Sequence, residues 1–170
     1  MMERRLIDLG CGNRKRPGHI GVDTLRLPGV DVIWDPKDPL PFDENSVDGV
    51  YANFVLEHSA NFISLVKDLY RICKNNSTIR LRVPYWASFT QWKDPTHRQV
   101  VTEETFRYLS DEIWYGSNYG FGVNFKIKKI EYVYLPPFDR RFIPDFLKRF
   151  MRRYFLNIVH SMWIEVEVIK

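Results

Sequence analysis

Three short apolar runs fall within the first 35 residues, each stopped by glycine or an acid, and this pattern restricts the fold more than any other feature. Arg5-Leu6-Ile7-Asp8-Leu9 reads as a buried strand ending at Gly10-Cys11-Gly12. Residues 19–23 and 30–35 read as a second and a third strand, each closing on an acid. Pro36, Pro39 and Pro41 then make a loop, because proline stops a helix and offers no ladder hydrogen bond. Residues 47–52 fit a fourth strand. Ser59 or Asn61 is placed to cap a helix carrying Phe62, Leu65, Val66, Leu69 and Tyr70 at helical spacing. Residues 77–83 alternate and end at Pro84, a fifth strand. A helix is expected after Thr102, with Glu103 and Glu104 in its first turn, and two late strands at 125–135 and 163–169. Strands alternating with connections predict an α/β fold, a doubly wound and largely parallel sheet, in a single domain spanning 1–170.

Composition narrows the function classes. With 45% hydrophobic and 27% charged residues, the chain is neither disordered nor fibrous. No apolar run approaches the ~20 residues that cross a bilayer, and no secretory signal is visible behind Arg4 and Arg5. The only cysteines, Cys11 and Cys73, build neither a disulfide framework nor a four-cysteine zinc site; no metal-ligand set is assigned, and a cytoplasmic location is expected. The net charge of +4 is uneven: residues 1–16 carry +3, residues 17–120 carry −4 and residues 121–170 carry +5. Basic ends suit an anionic partner, although solvated charge is the commoner cause.

In open parallel sheets, ligands bind beyond the carboxyl ends of the strands. Here those ends carry Gly10-Cys11-Gly12, Asp23 and Asp35. A glycine pair lets a ligand approach the main chain without meeting a Cβ. An acid closing the second strand can accept hydrogen bonds from two ribose hydroxyls, and one closing the third can accept from an exocyclic amine. The pattern is nucleoside-shaped. A dinucleotide is disfavoured: Lys15 stands where a third glycine would fall, and only ten residues separate Gly12 from Asp23, with Pro17-Gly18 among them. That spacing scarcely holds the crossover helix that a pyrophosphate needs.

These residues resemble a known family. Leu6-Ile7-Asp8-Leu9-Gly10-Cys11-Gly12-Asn13 is similar to the first motif of class I S-adenosylmethionine-dependent methyltransferases, and Gly21-Val22-Asp23 to their ribose-binding acid. Asp35, Leu40-Pro41-Phe42 and Asn45-Ser46-Val47-Asp48 resemble the adenine-side loop and fourth strand. Val55-Leu56-Glu57-His58 and Asp94-Pro95-Thr96-His97-Arg98 resemble a subgroup met beside sugar- and cell-surface-modifying enzymes. The resemblance runs from about residue 5 to 106. It implies a Rossmann-like, seven-stranded sheet whose last strand is antiparallel, with the first crossover helix shortened or missing. It further implies S-adenosyl-L-methionine as cofactor, S-adenosyl-L-homocysteine as product, and a cofactor site drawn from Asp8, Gly10, Cys11, Gly12, Asp23, Thr24, Asp35 and Asn53.

The sulfonium carries its own leaving group, so alignment with the acceptor supplies much of the acceleration. His97 is the first candidate for a base, with Asp94 and Arg98 beside it to orient the imidazole or the acceptor, and His58 is the second. Arg98, Tyr85 and Trp86 are the candidate acceptor-binding residues. From 142 to 159 apolar pairs recur every four residues, with Lys148, Arg149, Arg152 and Arg153 opposite them. This basic amphipathic helix, at about 140–160, is expected to pack on the sheet; a peripheral membrane contact or a homodimer contact is the alternative. The leading acceptor is a small molecule, a sugar or a lipid-linked glycan, methylated on O or N. The alternatives are an RNA or protein methyltransferase docking through its basic ends, and a non-catalytic adenosyl-cofactor-binding module acting through a partner.

Overall fold

The computed structural model describes residues 4–110 and 119–170. Strands Leu6–Leu9 (β1), Ile20–Asp23 (β2), Val32–Ile33 (β3), Val47–Asn53 (β4), Cys73–Pro84 (β5), Phe125–Tyr134 (β6) and Val159–Val168 (β7) form one sheet, in the order β3-β2-β1-β4-β5-β7-β6. β1 to β5 are parallel, and β7 runs antiparallel to both of its neighbours. The mixed seven-stranded sheet implied by the resemblance is therefore present. β3 is shorter than its apolar run, while β5 and β7 begin earlier than theirs because their first residues find ladder partners across the sheet.

No helix stands between β1 and β2, and polar contacts show what replaces it. Gly10 N donates to Val22 O at 2.7 Å, and Arg16 N donates to the Asp8 carboxylate at 2.8 Å. Lys15 reaches across to Asp31, whose other bond, from Gly21 N at 2.7 Å, locks the start of β3 onto β2. The Arg16 guanidinium covers the Tyr51 ring at 4.0 Å. Side chains of the basic connection thus take the place of a packed helix. The next connection also lacks a helix; it contains Pro28 and Gly29, the latter at φ +92°.

Helix Phe62–Ile72 (α1) starts at Asn61, whose side chain accepts from Ser64 N, and buries Leu65, Val66, Leu69 and Ile72 on the sheet. A single turn, Phe89–Trp92 (α2), follows β5. The helix expected after Thr102 is not formed: through residue 110 the chain makes successive tight turns, with the Thr105 hydroxyl accepting from Thr102 N, and residues 111–118 lie outside the described residues. Local side-chain bonds compete successfully with the helical ladder there.

The basic amphipathic segment does form a helix, Asp145–Tyr154 (α3), but it sits the other way round from the expected packing. None of its residues is fully buried. Two of its cations face the protein: the Arg152 guanidinium lies 3.6 Å from the Tyr132 ring centre, and Lys148 Nζ lies 5.3 Å from that of Tyr134, while Arg149 and Arg153 stay exposed. Phe142, in the loop before it, and Phe146 are each 75% exposed, and Phe150 is exposed beside them. β6 offers tyrosine faces rather than an aliphatic groove, and aromatic faces attract guanidinium and ammonium groups. That choice turns the phenylalanines outward.

Candidate functional site

A cavity of about 560 Å³ opens at the carboxyl ends of β1, β2 and β4, within the usual range for small-molecule sites. Leu9 and Gly10 form its floor, Val22, Asp23 and Thr24 one side, and Phe54, Val55 and His58 another. Trp34 and the turn after it close a third side.

Gly10, at φ +65°, is where the first turn requires glycine: a Cβ would run into Cγ2 of Val55, which also lines the cavity. Gly12, at φ +55°, donates its N–H to Asp23 Oδ2 at 2.8 Å, and Leu25 N donates to Oδ1 at 3.1 Å. The glycine turn and the acid therefore hold each other in place. A carboxylate offers about four lone-pair sites, so after these two bonds Asp23 still has acceptor capacity for a vicinal diol. An open glycine floor, an oriented acid and an aromatic wall fit an adenosyl ligand.

The structure gathers some of the sequence candidates at this cavity and leaves others outside its wall. Gly10, Asp23, Thr24 and His58 line it. Asp35 is exposed, caps Lys37 N at 3.0 Å and lies outside the wall; Trp34 and Asp38, which sequence reasoning passed over, stand in it. Asp8 is spent holding Arg16 N, and Cys11 is buried under the turn, where burial first and then the Asp8 and Asp23 carboxylates push its thiol up. Asn53 is exposed at the end of β4, and its successor Phe54, bent to φ +57°, takes the place at the wall. Tyr85 is only 3% exposed, packed in the core with its hydroxyl pushed up to about 12 by burial, so it offers no stacking face. Trp86 is exposed. Arg98 is tied by its main chain, its N–H donating to Glu57 O at 2.7 Å.

Beside the cavity, β4 runs into a 3₁₀ turn, Leu56–His58. His58 and His97, far apart in sequence, meet edge to face with ring centres 4.7 Å apart. His97 is not in the cavity wall, and its Nδ1 lies 2.8 Å from Gln91 O. His58 is in the wall, with Nδ1 2.9 Å from Thr96 Oγ1, which in turn lies 2.7 Å from Asp94 Oδ1. Desolvation and then the His97 ring push His58 below its usual value, against the pull of Asp94; hydrogen bonds from Thr96 hold Asp94 low. Glu57 was missed at the sequence level. It has no exposed surface, neither carboxylate oxygen finds a partner, and burial pushes it up to about 7. An acid wedged between Leu56 and His58 was the available signal.

Comparison with known proteins agrees with this geometry. A methyltransferase domain family model matches residues 26–81. No curated protein matches the chain. Among solved structures, an S-adenosylmethionine-dependent methyltransferase from Archaeoglobus fulgidus superposes with a TM-score of 0.63 at 22% identity, covering 96% of this chain and 86% of that one. One from Thermotoga maritima gives 0.61 at 16% identity, over 100% and 84%. A Haloferax volcanii methyltransferase, solved in complex with the Trm112 methyltransferase activator, gives 0.59 at 17% identity, over 98% and 82%.

Proposed function

We infer that this chain, which carries the class I S-adenosylmethionine-dependent methyltransferase fold, transfers a methyl group to an oxygen or nitrogen of a small-molecule, sugar or lipid-linked acceptor. The observation that carries this reading is the hydrogen bond by which Gly12, outside the cavity wall, orients Asp23, which lines the glycine-floored cavity. Gly10 gives the ligand access to the main chain, Asp23 presents the acceptor for a diol, and Trp34 supplies an aromatic side. Held by these residues, S-adenosylmethionine would supply an electrophilic methyl on a sulfonium, whose carbon–sulfur bond would break as the bond to the acceptor formed.

What remains for the protein is to align the acceptor, to exclude water and to accept a proton when the acceptor is a hydroxyl or an ammonium. His58, rather than His97, is the titratable imidazole that the cavity offers. Calorimetry with S-adenosylhomocysteine tests the reading directly. One equivalent should bind with micromolar affinity; no heat at millimolar ligand would end it.

The outward aromatic face of α3 favours an amphipathic or lipid-linked acceptor within this class. Asn157 joins the end of that segment to α2, donating to Ala87 O at 2.9 Å and accepting from Phe89 N at 2.6 Å. Exposed Phe89 and Trp92 therefore stand at the same end of the sheet as exposed Phe155, two residues before Asn157, and this is the end where the cavity opens. Phenylalanine and tryptophan flanked by Arg149 and Arg153 suit the headgroup layer of an anionic bilayer. Co-sedimentation with vesicles containing phosphatidylglycerol should retain the protein at low salt, and Phe146→Ser with Phe150→Ser should release most of it. No recovery on the anionic vesicles at low salt would remove the lipid reading.

A further inference from the structure

We propose that Glu57, His58 and His97 bind a divalent transition-metal ion of the zinc type. One ligand atom from each residue lies within 4.8 Å of the other two. The 3₁₀ turn brings the first two, and the loop after α2 brings the third.

Hydrogen bonding leaves all three groups as acceptors. The Gln91 carbonyl beside His97 Nδ1 can only accept, so Nδ1 carries the proton and Nε2 the lone pair. The single Thr96 hydroxyl hydrogen goes to Asp94, whose carboxylate can only accept. His58 Nδ1, 2.9 Å from the same hydroxyl oxygen, must then donate to it, which leaves the His58 lone pair on Nε2. A metal-binding imidazole is backed in this way, its second nitrogen giving its proton to a carbonyl or towards a carboxylate. Asp94 Oδ2, 3.8 Å from His97 Nε2, adds negative charge beside the set without a hydrogen bond of its own.

Glu57 completes the argument. A fully buried carboxylate with two unpartnered oxygens must be met by a cation or neutralised by a proton. A proton on one oxygen can be shared with only one of the two imidazole lone pairs, and it leaves the other Glu57 oxygen without a partner. One ion satisfies all three acceptors together. Two imidazoles and a carboxylate suit zinc or its neighbours better than calcium or magnesium, which prefer oxygen alone. Three protein ligands leave one tetrahedral position for an exchangeable molecule. His58 also lines the cavity, so the ion borders it. With the ion bound, His58 would no longer be free to take the acceptor's proton; an acceptor hydroxyl in that position would instead release it to solvent more readily. This role rests on the methyl-transfer reading, whereas ion binding does not.

Chelator-treated protein, titrated with Zn²⁺ alone, should bind one equivalent, and Co²⁺ in its place should develop visible ligand-field absorption. His58→Ala alters an exposed residue and Glu57→Gln preserves side-chain shape, so both variants should fold. Each should weaken Zn²⁺ binding by on the order of 100-fold, since even the residues that orient metal ligands matter by 10–100-fold. His19→Ala, remote from the cluster, should bind as the parent does. No stoichiometric binding, or affinities in the two variants within threefold of the parent, would overturn the site. Because no cofactor is present in this titration, its failure is distinguishable from a failure to bind S-adenosylhomocysteine.

Discussion

Asp23→Ala should weaken S-adenosylhomocysteine binding by about 10- to 100-fold in calorimetry, with the stoichiometry unchanged. A hydrogen bond to a charged group contributes ~1.5–3 kcal/mol, and each 1.4 kcal/mol is a factor of ten. The substitution does more than remove an acceptor for the ribose. It also frees Gly12 N and Leu25 N, which Asp23 holds at 2.8 Å and 3.1 Å, so the glycine turn loses its clamp. Asp23→Asn separates the two effects, because the amide keeps one acceptor oxygen while losing the charge, and its affinity should fall between those of the parent and the alanine variant. If Asp23→Ala binds within twofold of the parent, the acid does not face the ligand and the site has been drawn in the wrong place.

Gly10→Ala should be damaging through shape alone. The left-handed backbone at φ +65° costs an L-residue ~1–2 kcal/mol, and the new methyl would overlap Val55 Cγ2. Overpacking of that kind typically adds ~1–3 kcal/mol. For a chain of this size the total corresponds to a fall in Tm of roughly 4–20 °C. Cofactor binding should be lost with it, since the cavity floor would rise. Two companions make the test specific. Gly12→Ala, at φ +55° with no atom within 4 Å of the new methyl, should show the backbone penalty alone. Val55→Ala placed on Gly10→Ala should recover the clash component and leave the backbone component. If Gly10→Ala and Gly12→Ala melt together, close approach to Val55 is not what the first turn requires.

Much of the candidate cofactor site was legible because its signals are local. A glycine after an apolar run marks a turn whatever the rest of the chain does, and Gly10 lies on the cavity floor. Asp23 closes β2 and lines the cavity for the same reason. Asp35 shows the limit of such reading: it lies one residue from Trp34, yet the turn points it into solvent to cap Lys37, and Trp34 takes the wall. Tyr85 shows the limit for aromatics. Nothing in Tyr85-Trp86 says which ring is buried; contact with Tyr132 on β6 draws Tyr85 inward and leaves Trp86 exposed.

The succession of strands along the chain, the glycine turn, the acid at the end of β2 and the amphipathic character of α3 are written in the residues alone. Each follows from spacing over a few residues, where backbone sterics and side-chain periodicity act without reference to distant partners. Which way α3 faces was settled by long-range packing, because the choice belonged to the tyrosines of β6 rather than to the helix. It alone brought His97 and Thr96 against Glu57 and His58, groups separated by nearly forty residues whose meeting depends on how β5 carries the chain across the sheet. Periodicity registers a face; it does not register what the face will meet.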